Sequence, residues 1–496
     1  MGNRIFDQLI IFEMANNHQG DVSHALNIIH KLGEISRTYQ INAAVKFQYR
    51  NLDTMIHPDY KDRKDVKHIP RFLSTRLTNS QFKLLVDAVK QEGLRTMCTP
   101  FDEDSVDVCI EHGIEILKIA SCSAIDWPLL EKVAASKKPV IISTAGKSYL
   151  DMDNIHSFLT HRDVDFAMLH CVGIYPVQEK DVQLSNIDRM IARYRNVPIG
   201  YSGHESPENM TIVQMAVAKG ANIFERHVGH ATESITLNGY STDVDQIHHW
   251  IEAIQQAYQI CGCKDQKIIS KEEIQSMNEL ARGCFAKVPI QKGQPIKRTD
   301  VFFAMPCQAG QTTSGQFHES MIASKDYSVN QPIEAQPNKS LIKETRRIIH
   351  DVRGMLAEAN IAVGNEFELE LSHHYGLKSF REYGATIINI VNREYCKKLI
   401  VLLPGQQHPM HYHKIKEETF QILYGEMELI LDGKQHLLHE GQVITVERSM
   451  AHAFSSASGC IFEEISTTHV KNDSYYEDPA ISNLDLMERK TILSEW

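Results

Sequence analysis

The stretch VPIGYSGHES, residues 197–206, runs a short apolar segment into Gly-Tyr-Ser and at once into a histidine, His204. About one repeat later the pattern returns in NIFERHVGH, residues 222–230, where an apolar run is followed by Glu225 and His227. Polar groups that cluster where successive apolar runs stop mark the C-terminal ends of parallel strands. Two imidazoles at the ends of two neighbouring strands can meet over one divalent ion.

Working outward from there, six more apolar runs precede these two. They are LIIFEMA from residue 9, NAAVKFQ from 42, LRTMCTPF from 94, IEILKIAS from 114, PVIISTA from 139 and DFAMLHCV from 165. Amphipathic helical patterns such as SHALNIIHKLGEIS and NSQFKLLVDAVKQEG lie between them. Strand–helix alternation repeated eight times over about 250 residues predicts an α/β fold of the (β/α)8 TIM-barrel type. The strand ends then carry Glu13, Lys46, Thr99, Lys118, Ser143, His170, Ser202 and the Glu225/His227 pair.

The bulk properties limit the function. The chain has 496 residues, enough for two to four domains. Its 52 basic and 63 acidic residues give a net charge of −11, which argues against nucleic-acid binding through a basic surface. No apolar run reaches membrane-spanning length, and the ten cysteines lack disulfide or zinc spacing, Cys261 and Cys263 forming only a C-x-C. A cytoplasmic protein with reduced thiols and no membrane partner is expected.

The strand-end residues suggest chemistry. A buried lysine needs a partner or a function. Lys46 and Lys118, with Thr99, Ser121 and Ser143 nearby, form a candidate phosphate cradle. The alternative is that each lysine pairs with a barrel glutamate, Glu13 or Glu225. His204 and His227 are a candidate site for Mn, Fe, Zn or Mg, the alternative being hydrogen-bonded core histidines. Glu13 and Glu225 are candidate proton-transfer or hydroxyl-binding groups. Asn17 and His18, in a loop just past the first strand, are expected to face the substrate.

The pieces EMANNHQGD, VKFQ, TPFD, LKIAS, ISTAGKS, HCVGIYP, GYSGHES and FERHVG occur in order over the first 260 residues. In this the chain resembles the sialic acid synthase family, transferases that condense phosphoenolpyruvate with an aldose. The resemblance implies that Lys46, Thr99, Lys118, Ser121, Ser143 and Ser202 bind phosphoenolpyruvate. It makes His204 and His227 ligands of a divalent metal, Mn or Mg. It puts Glu13, Gln48 and Tyr175 on the sugar side, with Glu13, Lys46, Lys118 and Glu225 as the catalytic set. The chain departs from the family pattern at Gly173, where Asn or Ser is usual, and after LKIAS, where Cys122 and Ser123 replace Gly and an acidic residue. Both changes touch the acceptor pocket.

Three further segments follow a barrel assigned to residues 1–262. Residues 263–343 read as a linker helix and a small β module, whose CFAKVPIQKGQPIKRTDVFFAMP resembles the antifreeze-like (SAF) domain of the same family. That resemblance implies a homodimer in which the module reaches the partner barrel. Met305 stands where the family supplies an arginine before Pro306.

Residues 344–475 alternate strongly and predict a β-barrel or jelly roll. Alternation points His411 and His413 to one face, with Glu418 and His452 close in sequence, a donor set for a first-row metal. This segment resembles the cupins, including Gly405, Gly425 and Gly441, although Glu447, Ser449 and Ser456 replace the usual residues of the second motif. A second metal, Mn, Fe, Ni or Zn, is expected there. The stretch GQQHPMHYHKIKEE, with Lys416, also resembles metal-dependent D-lyxose isomerase. Sugar isomerisation or epimerisation through the cupin, or sugar binding without catalysis, therefore stands as the alternative function. Residues 476–496 read as a tail.

Overall fold

The computed structural model describes residues 4–493 except 64, 67, 263–266, 320, 335–340, 365–366, 471 and 486–487. Cys263 and the expected boundary beside it lie outside the described residues. The nine described cysteines are free. Among the described residues no helix is long and apolar enough to cross a membrane. The chain divides into two compact units, residues 1–269 and 270–496.

The first unit is a closed barrel. Strands β1 (Leu9–Glu13), β2 (Ala43–Tyr49), β3 (Arg95–Pro100), β4 (Ile116–Ile119), β5 (Val140–Ser143), β6 (Phe166–Cys171), β7 (Ile199–Gly203) and β8 (Ile223–Gly229) pair in that order. β8 pairs back to β1 in parallel, with Leu9 opposite Ile223. The eight strands are those expected from the apolar runs. Helices follow where the sequence supplies caps: Asp21 accepts from the Ser23 and His24 amides at the start of Val22–Tyr39, and Thr78 with Gln81 forms a capping box for Asn79–Gln91.

Strand alternation sorts the side chains into two layers. Ile10, Phe12, Val45, Phe47, Leu117, Ile119, Met168, Tyr201 and Phe224 join the core between strands and helices. Leu9, Ile11, Ala44, Met97, Ile116, Ile141, Ala167, Leu169 and Ile223 fill the barrel interior. The inward columns continue upward into polar groups: Leu9 and Ile11 into Glu13, Ala44 into Lys46 and Gln48, Met97 into Thr99, Ile116 into Lys118, Ile141 into Ser143, Ile223 into Glu225 and His227. An apolar floor thus carries a polar mouth, which is the barrel arrangement that supports catalysis at the C-terminal face.

The same parity corrects one expectation. Ala167 and Leu169 face in, so Cys171 does too, and His170 faces out. His170 Nε2–H donates to the Val182 carbonyl at 2.8 Å, and Nδ1 takes the Asn186 amide at 3.3 Å.

The second unit opens with the helix Lys271–Leu280 and a small β module in which Gly283–Ala286 pairs antiparallel with Val301–Ala304. Beyond the helix Leu341–Glu358 come a seven-stranded and a five-stranded antiparallel sheet, the two halves of the cupin. Two pieces of residues 476–496, Tyr476 and Lys490–Leu493, join these sheets. Lys490–Leu493 pairs with Glu368–His373, and Ser474–Tyr476 pairs with Gln407–His413.

Gly200 shows why the opening motif needs its first glycine. A Cβ there would lie 2.5 Å from Leu169 Cδ2 and 2.6 Å from Ile223 Cβ, where the barrel interior is full. Gly200→Ala is expected to destabilise the barrel by about 1–3 kcal/mol through overpacking. A thermal melt should show its transition lowered by several degrees; an unchanged midpoint would contradict this reading of the interior.

Candidate active site

The barrel register sets the site side by side before any side chain is considered. Glu13 lies opposite Lys46 on one flank and His227 on the other; Gln48 faces Thr99, and Ser202 faces Glu225. The side chains then converge. Lys46 Nζ lies 2.6 Å from Glu13 Oε2 and 2.8 Å from Glu225 Oε2. Lys118 Nζ lies 2.8 Å from the same Glu225 oxygen. The Ser202 hydroxyl donates to Glu225 Oε1 at 2.9 Å, and the Gln48 amide to Glu13 Oε2 at 3.3 Å. All four charged residues are at most 5% exposed.

Two lysines and two glutamates make this cluster formally neutral. Burial disfavours the charge of Lys46, yet Glu13 and Glu225 hold its pKa above the ordinary lysine value. For Lys118 burial prevails over Glu225, with Lys46 adding repulsion, and its pKa falls to about 8. Burial opposes ionisation of Glu225, but Lys118 and Lys46 keep it well below the usual carboxylate range.

This pairing is what a purely structural pair of lysines would also adopt. Other groups at the mouth point beyond structure. Ser143 Oγ is buried with no hydrogen-bond partner among the described residues. Such an orphaned hydroxyl is unusual in a native interior and marks a place for a ligand oxygen. Thr99 is also buried, and Ser121 Oγ accepts from the Ala145 amide at 3.0 Å, tying the loops after β4 and β5 together.

His204 and His227 sit with ring centroids 5.5 Å apart. His204 Nδ1 lies 2.9 Å from the Val172 carbonyl, which can only accept, so this nitrogen carries the proton and Nε2 is left as a lone-pair donor. Burial first, then His227, lowers the pKa of His204 to about 3; burial first, then Lys46, does the same for His227. Both rings are therefore neutral, the form that binds metal. Their chemistry fits a divalent ion.

Tyr175 packs on His204 at 4.1 Å, and Tyr240 stands edge-on to His227 at 5.1 Å. Asn17 and His18 are placed differently. The Asn17 amide donates to the Val228 carbonyl at 2.8 Å and to Ser241 Oγ at 3.1 Å, fastening the first loop to the end of β8. His18 packs edge-on to Phe82, and its Nδ1 accepts from the Gly20 amide. Neither contact is with the lysine–glutamate cluster.

Three groups escaped the sequence reading. Cys171 faces Lys118, Ser202 and Ser121, and strand parity alone would have found it. Tyr240 lies in an aperiodic loop that gives no signal. Arg50 donates to Gln48 Oε1 at 2.6 Å and lies over Phe72 and Phe101, a placement that rests on tertiary packing.

The cupin brings its predicted donors together. Nitrogens of His411, His413 and His452 lie within 4.8 Å of one another, and all three residues are buried. Each Nδ1 faces a backbone carbonyl: Pro409 at 3.0 Å, Asp473 at 2.8 Å and Met450 at 3.1 Å. Each Nε2 is thereby left as the donor atom. Glu418 approaches His413 Nε2 at 3.5 Å and His452 Nε2 at 3.3 Å, and its Oε2 has no hydrogen bond. Three imidazoles and a carboxylate with an unpaired oxygen fit a first-row metal.

Comparison with known proteins accords with this geometry. Residues 37–266 match the NeuB family and residues 398–462 the cupin domain. A crystal structure from Chromobacterium violaceum, described as spore coat polysaccharide biosynthesis protein E, is 41% identical, covers 66% of this chain and 98% of its own, and superposes with a TM-score of 0.63. The chain is 26% identical to mouse (Mus musculus) N-acetylneuraminate-9-phosphate synthase over 58% of its length and 80% of the relative. It is 26% identical to N,N'-diacetyllegionaminic acid synthase of Legionella pneumophila over 60% of its length and 85% of the relative. The fold is that of a sialic acid synthase-type TIM barrel, followed in the chain by a cupin domain. This chain belongs to the NeuB family.

The shared carboxylate yields a test that needs no substrate. Glu225→Gln leaves two buried ammonium groups short of their counter-charge, and about 3–5 kcal/mol of stability should be lost. Adding Lys118→Met should recover part of it in a denaturation double-mutant cycle. Equal stability of wild type and Glu225→Gln would contradict the charge balance described here.

Proposed function

We propose that the barrel condenses phosphoenolpyruvate with an open-chain aldose to give a 2-keto-3-deoxy sugar acid of the nonulosonate type and inorganic phosphate. The observation that carries this reading is the convergence of two buried ammonium groups on Glu225 beneath two neutral imidazoles, in a barrel of the NeuB family. The relatives named as N-acetylneuraminate-9-phosphate and diacetyllegionaminic acid synthases support it over a sugar isomerase acting through the cupin alone.

In the proposed reaction Lys46 and Lys118 exchange part of their pairing with glutamate for the phosphate and carboxylate of phosphoenolpyruvate. Ser121, Ser143, Ser202 and Thr99 supply hydroxyl donors around the same anion. Preorganised cations of this kind stabilise developing charge without reorganisation. Carbon 3 of phosphoenolpyruvate attacks the aldehyde carbon, a water oxygen adds at carbon 2, and phosphate departs with its bridging oxygen. His204 and His227 would hold a divalent ion, Mn or Mg, which when bound would supply Lewis-acid polarisation of the aldehyde oxygen. Glu13, held by the Ala15 amide at 2.7 Å and by Gln48, is placed to exchange a proton with a sugar hydroxyl. Tyr175 and Gln48 border the sugar side.

The acceptor in this reading is N-acetylmannosamine-like or a related hexose, and the chain departs from the family pattern at Gly173, Ser123 and Met305. Gly173 leaves its Cβ position open to 3.6 Å from Ala145 Cβ, Ser123 is buried, and Met305, where the family supplies an arginine, is 62% exposed. A homodimer in which the SAF-like module reaches the partner barrel completes the proposal.

Incubation with phosphoenolpyruvate, Mn and a panel of hexoses and hexosamines should release phosphate only when one sugar is present. Lys118→Ala should reduce the rate at least about a hundredfold, and His204→Ala or chelation should abolish it, each with the fold retained by circular dichroism. Phosphate release independent of sugar, or indifferent to Lys118, would contradict the proposal.

A further inference from the structure

The cupin encloses a cavity of about 620 Å³ with an unusual charge pattern. Four acidic and four basic side chains line it: Glu368, Glu370, Glu418 and Glu464 against Lys398, Lys416, Arg489 and Lys490. Every lysine is accounted for. Lys416 pairs with Glu418 and with Glu464 at 3.0 Å, Lys398 with Glu464 at 3.3 Å, and Lys490 with Glu370 at 2.9 Å. Arg489 is left without a carboxylate partner among the described residues. Glu368, the remaining acid, is exposed at the far end of a strand whose other end, His373, donates its amide to the Arg489 carbonyl.

The surplus cation is half-buried. Its Nε is buried with no hydrogen-bond partner among the described residues. Its guanidinium lies 5.4 Å from the Tyr476 ring centroid, and on that same ring His411 stacks at 5.3 Å. Beside them His374 is 1% exposed, 4.9 Å from Tyr476, and its Nδ1 also lacks a partner. Buried polar nitrogens left unpaired in a cavity need a ligand's polar groups: Arg489 Nε an acceptor, and His374 Nδ1 an acceptor or a donor according to its tautomer. An arginine is suited to a planar carboxylate or a phosphate.

We propose that the cupin cavity binds an anionic sugar, a polyhydroxylated chain whose carboxylate or phosphate sits on Arg489 while its other end reaches the His411–His413–His452 cluster. The two ends flank Tyr476, a spacing that suits a chain of sugar length. A divalent ion at the histidines would add to the positive potential, and Glu370, Glu418 and Glu464 are already neutralised by lysines. A neutral sugar would leave the Arg489 guanidinium without a counter-charge. This inference is independent of the barrel chemistry.

Calorimetric titration of the full-length, Mn-loaded Lys118→Ala protein with glucuronate, glucose 6-phosphate and glucose tests it, the barrel variant reducing anion binding elsewhere. At least one of the two anionic probes should bind tenfold or more tighter than glucose, glucuronate leading if the ligand is a sugar acid and glucose 6-phosphate if it is a sugar phosphate. Adding Arg489→Gln should remove the preference, and Arg489→Lys should keep part of it, which serves if the glutamine variant melts early. Equal affinity for charged and neutral probes, no binding of any of them at millimolar concentration, or a preference that survives Arg489→Gln would overturn the proposal.

Discussion

Two ammonium groups buried at the mouth of one barrel cannot stand without a counter-charge, and Glu225 supplies it to both. Its Oε2 meets Lys46 and Lys118 at 2.8 Å each, while its Oε1 takes the Ser202 hydroxyl. An isolated buried charge costs several kcal/mol or more, so this one carboxylate makes the polar mouth compatible with the apolar floor beneath it. It also leaves the lysines in an exchangeable state. Cations held by carboxylates can be transferred to a stronger anion, whereas cations locked in an apolar cage would lose their protons.

The strand parity that sets this arrangement was largely readable from sequence. Apolar runs ending in Glu13, Lys46, Thr99, Lys118, Ser143, Ser202 and Glu225 located seven of the eight strands with their inward columns, and DFAMLHCV located the eighth strand, because a period of two leaves few alternatives once one inward residue is fixed. The same rule, applied to DFAMLHCV, would have chosen Cys171 over His170; histidine's chemistry drew the assignment to the wrong face. Asn17 and His18 were legible as a loop but not in their contacts, which join segments more than two hundred residues apart in the case of Asn17 and Val228. Tyr240 and Arg50 had no periodicity to betray them.

In the cupin the donors were legible for a different reason. His411 and His413 share a strand face by alternation, and His452 lies directly opposite His411 in the antiparallel register. What could not be read was the pairing of charges around them. Lys416 is two residues from Glu418, but Lys398 meets Glu464 and Lys490 meets Glu370 only through the order of strands in the seven-stranded sheet, and Arg489 lies in a segment read as a tail. The segment enters the sheet at Lys490–Leu493 and brings the arginine to the cavity with it.

The central claim is that Lys46, Lys118 and the hydroxyls around them form one small anion site beneath His204 and His227. A crystal structure of the protein soaked with phosphoenolpyruvate and Mn measures this most directly. The phosphate or carboxylate is expected within hydrogen-bonding distance of Lys118 Nζ and Ser143 Oγ, with Mn on both imidazoles. Phosphoenolpyruvate bound away from the lysines, or a metal that ignores the two histidines, would contradict it.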